Sequence, residues 1–440
     1  MNKIIQFITA RRVSLGLILL LAGLMYVSTI IPQRIDSTPE KVESWRRSFG
    51  GILWLIDVFN LHSIYSQPWF AILILLSSFA LWLSSYDQFT VVRKKLYSVG
   101  TTSADTLIEK ISEPLLRSVA DRYGYQIIQN RSGGVLKFVK FPWGFWGVFL
   151  LHIGMALVVT ASLSVSLTTR QGVLIMGEGE QRNSRGSWNA SEHGLFASML
   201  KLPGTIRLDK VNVNFDSTNQ PKEVSSNVNI INSSGRSATL TAYINRTLRY
   251  NGLRVYHSSE YGNVFEVVFT DKNGAIYTEK IAAQQPVSLT KPGYSDELSI
   301  AWSPYLLSAK YYADTDRKSM LSTNPELILR LTQGDREIAR TVLTKGTSAM
   351  LGEYKVQLKG VARWSKLIFV DTAGMPLVFT GFAIIMLGGL LQYLTPPREL
   401  IAVSQGDNSY TVYWKAAAFR EFFLEERDRL AIDLQQETIR

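Results

Sequence analysis

Cysteine is absent from the 440 residues. That excludes disulfides, thiol chemistry and thiolate metal sites, even for a part of the chain that faces an oxidising compartment. Histidine is scarce: only His62, His152, His193 and His257 can offer an imidazole to a metal. Enzyme signatures are missing too, with no Gly-x-Ser-x-Gly elbow, no Walker loop, no His-Glu-x-x-His and no dinucleotide fingerprint. Gly177-Glu178-Gly179 lacks a following helix and reads as a turn. No half of the chain repeats the other, which argues against a self-sufficient secondary transporter.

Charge is missing from four stretches, residues 13–31, 69–83, 143–167 and 372–394. Each approaches the roughly 20 apolar residues that cross a bilayer. Pro68, Trp69, Trp82 and Tyr86 at the edges of the second, shortest run suit an interfacial aromatic belt. Lys3, Arg11 and Arg12 ahead of the first run resemble a signal-peptide start, but the apolar run is long and no small-x-small cleavage site follows, so it is expected to stay attached.

Lys and Arg number 3 before the first span, 4 in residues 32–68, 9 in residues 87–142 and 6 after the last span. The positive-inside bias predicts cytoplasmic termini and a cytoplasmic 87–142 loop, with 32–68 and 168–371 outside a bacterial inner membrane. The 168–371 region carries +6 of the overall +11 charge, too thin over that length for a nucleic-acid surface.

The expected organisation is therefore a membrane protein with four transmembrane helices, a large extracytoplasmic all-β domain and a small cytoplasmic α+β element. Residues 1–31 form the N-terminus and first span, and 32–68 a loop with an interfacial helix at 44–61, rich in Trp45, Phe49, Trp54 and Phe59. Residues 69–86 form the second span. The appendage at 87–142 reads as a helix over 104–123 and a hairpin turning near Ser132, Gly133 and Gly134. Residues 143–167 are the third span, 372–394 the fourth, and 395–440 a tail in which 410–414 is strand-like and 415–436 has amphipathic helical spacing. The tail helix either lies against the cytoplasmic element or is solvated.

From residue 168 short alternating runs replace helical periodicity. Val211, Val213 and Phe215 alternate with Asn212 and Asn214, and turn signals stand at 232–235 and 271–274. Many short strands at this spacing predict a β-sandwich or jelly-roll.

His152 falls about nine residues into the third span, roughly 14 Å along its axis, hence near the bilayer centre. Intramembrane ionisable residues are costly and point to function. At 100° per residue His152 lies about 140° from a seven-residue stripe of Gly147, Gly154 and Ala161, and alongside Phe145, Phe149, Ala156, Val159 and Leu163. An apolar aromatic face with one imidazole suits a porphyrin, whereas a neutral histidine bonded to a helix carbonyl is the plainer alternative. The fourth span repeats the stripe in Gly374, Gly381 and Gly388, and its simplest use is packing against the third. His62 reads as a solvated loop residue, His193 as an incidental loop residue, and His257 as a packed or edge residue of a strand.

Together these segments resemble the ResB (CcsB) family of System II cytochrome c biogenesis over nearly the whole chain. The likeness rests on Ser28-Thr29-Ile30-Ile31-Pro32-Gln33, on Asp57-Val58-Phe59 with Ser66, Pro68, Trp69 and Phe70, and on Gly124-Tyr125 with residues 137–152. It continues through 245–262, with Tyr250, Gly252, Tyr256, Ser258, Ser259, Tyr261 and Gly262, and through 374–389. This chain departs from the family where Trp82 to Ser85 stand in place of a frequent Cys, and where His257 replaces a commoner Gln. The resemblance implies haem as the molecule bound or transported, with His152 as an axial ligand to its iron; Phe145 and Phe149, on the same helical face by spacing, are the expected porphyrin contacts. It implies a CcsA/ResC-like polytopic partner, apocytochrome c as client and lipid as surroundings, with no nucleic acid. The chain then acts as a haem-delivery subunit with no catalytic residue of its own. The alternatives are an anchored assembly scaffold whose β-domain binds proteins without haem, and a haem-free envelope sensor.

Overall fold

The computed structural model describes residues 11–35, 37, 39–48, 51, 53–98, 104–131, 134–232, 234–295, 297–334, 336–406 and 409–439. Among the described residues four helices are long and apolar enough to cross a membrane: Arg11–Ile30, Pro68–Tyr97, Trp146–Thr168 and Met375–Leu394. The second exceeds the expected 69–86 because its last three turns carry Asp87, Arg93, Lys94 and Lys95. Thirty residues at 1.5 Å reach about 45 Å, past the roughly 30 Å hydrocarbon layer, so the helix outlasts its apolar part. By clustering of contacts the chain divides into two compact units: Met1–Gly23, Ala71–Val165 and Gly374–Arg440 form one, and Leu24–Phe70 with Ser166–Ala373 the other.

In the first unit the third and fourth spans meet along their small-residue stripes. A Cβ on Gly154 would stand 2.9 Å from the Gly381 carbonyl oxygen, and one on Gly388 would stand 2.8 Å from that of Gly147. The two stripes therefore face each other at backbone contact, as small-residue membrane interfaces do. The second span is fixed to the third by hydroxyls: Ser78 Oγ lies 2.6 Å from Thr160 Oγ1, and Trp82 Nε1 donates to the same oxygen at 2.9 Å.

This unit also holds a five-stranded antiparallel sheet whose order runs Asp105–Ser112, Ser409–Ala416, Arg398–Gly406, Val135–Lys140, Gln126–Arg131. Residues 104–123 are thus not one helix: a strand precedes the helix Glu113–Arg122. Leu107 and Ile111, both in the core, are four residues apart, a spacing that shares one face in a strand as it does in a helix. The tail supplies two strands, and its helix Leu424–Ile439 buries Leu430 and Leu434 completely beside Leu116 and Val119. The solvated-tail alternative is excluded. Glu426 on that helix accepts from Tyr125 Oη at 3.0 Å and Lys140 Nζ at 3.2 Å, and Arg398 Nε stands 3.3 Å away. Burial pushes the Tyr125 hydroxyl pKa up, as does the Glu426 carboxylate, so it remains a donor. Residues 132 and 133 of the expected hairpin turn lie outside the described residues; the two strands pair with Arg131 opposite Val135.

The second unit is antiparallel β, in sheets of seven, five and four strands. Its axis is the pair of 18-residue strands Leu253–Thr270 and Tyr354–Asp371. One core gathers Phe265, Phe269, Tyr311, Leu327 and Leu358; the other gathers Leu174, Met176, Ile206, Leu208 and Phe369. Strand Arg170–Gly177 pairs with the end of Tyr354–Asp371 over eight residues, placing Arg170 opposite Asp371, and their side chains form an ion pair at 2.5 Å. Gly172 is obligatory there, since a Cβ would stand 2.3 Å from the Trp188 ring. The expected interfacial helix at 44–61 is instead two short helices, Pro39–Ser48 and Leu53–Val58, joined by a bidentate Arg46–Asp57 pair at 2.5 and 2.9 Å. Phe49 and Ile52 lie outside the described residues.

Candidate functional site

The third span begins from a 3-10 turn, Pro142–Phe145, that follows a strand directly. Seven residues later His152 projects half-buried from the helix. Its Nδ1 lies 2.9 Å from the carbonyl oxygen of Val148 one turn back. A carbonyl oxygen only accepts, so Nδ1 is the donor, and Nε2 is the nitrogen this bond does not use. That arrangement is the one in which imidazole binds a metal through Nε2 while its other nitrogen is held by a second group. The carbonyl belongs to the histidine's own helix, not to a neighbouring one, and the bond uses Nδ1 alone.

The face expected to be free for a porphyrin is partly covered by this chain itself. Phe145 is 6% exposed and packs with Val92, Leu96 and Val139, while Ala156 is fully buried. Phe149 meets Phe89 at 5.7 Å between ring centroids and Trp146 at 5.6 Å. The helical wheel could not see that the second span continues far enough to pack on Phe145 and Phe149.

The other imidazoles lie in the second unit. His62 is 2% exposed, which corrects the solvated reading. The 3-10 turn Leu61–Ser66 folds it beneath the exit of the first span, where its Nδ1 is 2.8 Å from the Pro32 carbonyl and Trp45 meets it edge-on. His257 is 5% exposed, with Nδ1 at 2.6 Å from the Ser258 carbonyl. In both rings Nε2 is buried without a hydrogen-bond partner. Burial holds the His257 pKa below its ordinary value. His193 is exposed at the end of a short strand.

Sequence reasoning also passed over a cavity of about 880 Å³ in the second unit, lined by Arg34, Arg46, Asp57, Val173, Asn189 and Lys366 among others. Its charges are mostly internally matched, Arg46 by Asp57 and Lys366 by Glu260 at 3.3 Å. Among the described residues no three His, Asp or Glu gather as a metal-binding cluster.

The model of the ResB-like family matches residues 11–420. The chain is similar to the cytochrome c biogenesis protein CcsB of Paulinella chromatophora, 23% identical over 99% of this chain and all of the relative. It is similar to the CcsB proteins of Prochlorococcus marinus strain NATL2A, 20% identical over 90% of each chain, and of Synechococcus strain WH7803, 22% identical over 92% of this chain and 91% of that one.

Proposed function

The chain belongs to the ResB-like family, and from that membership we propose that it serves cytochrome c maturation as the haem-delivery subunit of a membrane complex. The near full-length likeness to proteins named for cytochrome c biogenesis supports the process. The observation that carries the haem reading is the hydrogen bond of His152 to the Val148 carbonyl. Its Nδ1 is committed to the Val148 carbonyl, so Nε2 is available as one axial ligand from within the third span. One imidazole fills one axial position, and a CcsA/ResC-like partner supplies the other. Held this way, haem keeps one orientation in an apolar setting. Phe149 is the aromatic neighbour that remains half-buried rather than enclosed. In this reading the termini and the five-stranded sheet are cytoplasmic, and the large β-domain meets the apocytochrome outside.

The test is co-purification of the chain with its polytopic partner and measurement of the Soret band. His152→Ala is expected to lose it, and added imidazole to restore it in part. An undiminished band in the variant removes the ligand assignment. A colourless complex that still supports cytochrome assembly favours the scaffold reading, which the enclosure of Phe145 also supports.

A further inference from the structure

We propose that residues 194–199 of the β-domain dip into the lipid interface beside the C-terminal end of the third span, with Leu195, Phe196 and Met199 as the lipid-facing tip. The three side chains are 45%, 81% and 58% exposed, and among the described large apolar residues of this unit Phe196 is the most exposed. Residues 194–200 carry no charge, and Lys201 is the first that follows. Neighbouring apolar residues do the folding: Leu200 and Leu202 are buried in the core, and Trp188 Nε1 donates to the Leu200 carbonyl at 2.7 Å. The tip is thus surplus to the β-domain's own packing, and a contiguous exposed apolar patch of this kind marks a binding surface.

Its place identifies the occupant. Gly194 N donates to the Thr169 carbonyl at 2.8 Å and Phe196 N to the Leu167 carbonyl at 2.9 Å, so the loop is tied by backbone to the last turn of the third span. A Cβ at residue 194 would stand 2.3 Å from the Ser166 carbonyl oxygen, so only glycine lets the loop come this close. The entrance to the second span is tied to the same spot: Ser166 Oγ donates to the Tyr65 carbonyl at 2.7 Å and Ser66 Oγ to Glu192 at 2.5 Å. A 23-residue helix reaches about 35 Å, slightly more than the hydrocarbon core, so its final turn stands at the lipid–water boundary. An apolar tip fastened to that turn stands at the depth of the lipid–water boundary, and the bilayer is the partner it fits.

The absence of cysteine makes the test direct. Phe196→Cys and Met199→Cys, each the sole thiol, are labelled with a polarity-sensitive fluorophore in the full chain in phosphatidylcholine nanodiscs. Lys272→Cys serves as the comparator. It sits in the turn after Thr270, some 15 residues along the long strand from the Arg254–Val370 pair, about 50 Å away at 3.3 Å per residue. The labels at 196 and 199 are expected to lose most of their emission to doxyl-labelled lipid and to resist iodide, and the label at 272 to do the reverse. Quenching of 196 and 199 by iodide alone overturns the proposal, and so does shielding from both quenchers, which would mean that protein covers the loop.

Discussion

Lys137 Nζ stands 2.9 Å from Glu399 Oε2, and the lysine is 1% exposed. The same ammonium donates to the carbonyls of Lys95 at 2.6 Å and Ser98 at 3.0 Å, so one buried cation both closes the C-terminus of the second span's helix and joins two strands of the five-stranded sheet. A cation at that end also suits the helix dipole.

Removing one member of a buried, fully bonded pair strands the other, at a cost of about 3–5 kcal/mol. Lys137→Met and Glu399→Leu are each expected to lower the melting temperature of the solubilised protein strongly. The double variant should lose less than the two separately, and additive losses would mean that the pair is not coupled.

The facing glycines of the third and fourth spans give a contrast within one helix. Gly388→Leu places side-chain atoms where a Cβ already meets the Gly147 oxygen at 2.8 Å, and it should separate the two spans and abolish assembly. Gly389→Ala, with nothing within 4 Å of the added methyl, should be neutral or stabilising by up to about 1 kcal/mol. Thermal unfolding of both variants checks this, and equal effects would count against the close contact.

His257 sets part of the acid limb of stability. Burial lowers its pKa from 6.5, so the folded ring rejects a proton that the unfolded chain accepts. Its contribution is present above about pH 6.5 and is lost as the pH falls below that value toward the folded pKa, at up to about 1.4 kcal/mol per pH unit. His257→Phe should flatten the melting-temperature profile between pH 7 and about pH 5. An unchanged slope would assign the limb to other groups.

The C-terminal helix is structural. Leu430→Ala should cost about 2–5 kcal/mol, since the side chain is fully buried against the sheet unit. Truncation after residue 395 removes that helix together with two strands of the sheet, and it should expose the remaining three to rapid proteolysis. A truncated chain that resists protease like the full chain would contradict the sheet order.

Features written locally were legible in the sequence. Uncharged runs locate the four spans, and a seven-residue period marks both glycine stripes and their partnership. Distant pairing was not legible. Residues 105–112 read as helix because Leu107 and Ile111 are four apart, and only Ser409–Ala416, some 300 residues on, makes them a strand. Strand Arg398–Gly406 went unseen behind Pro396 and Pro397. Charge at 87–95 concealed the continuation of the second span's helix, and with it the cover over Phe145. At the candidate site, position and face of His152 came from periodicity, but its tautomer required the Val148 carbonyl to be seen.

Arg170 and Asp371 give the large β-domain a single doorway, since the chain enters and leaves on adjacent rungs of one ladder. Side chains alternate along a strand, so slippage of one thread past the other by one residue would turn every core group of those eight rungs to the wrong side. The eight-rung ladder therefore holds the chain's entry to the domain and its exit from it in one register.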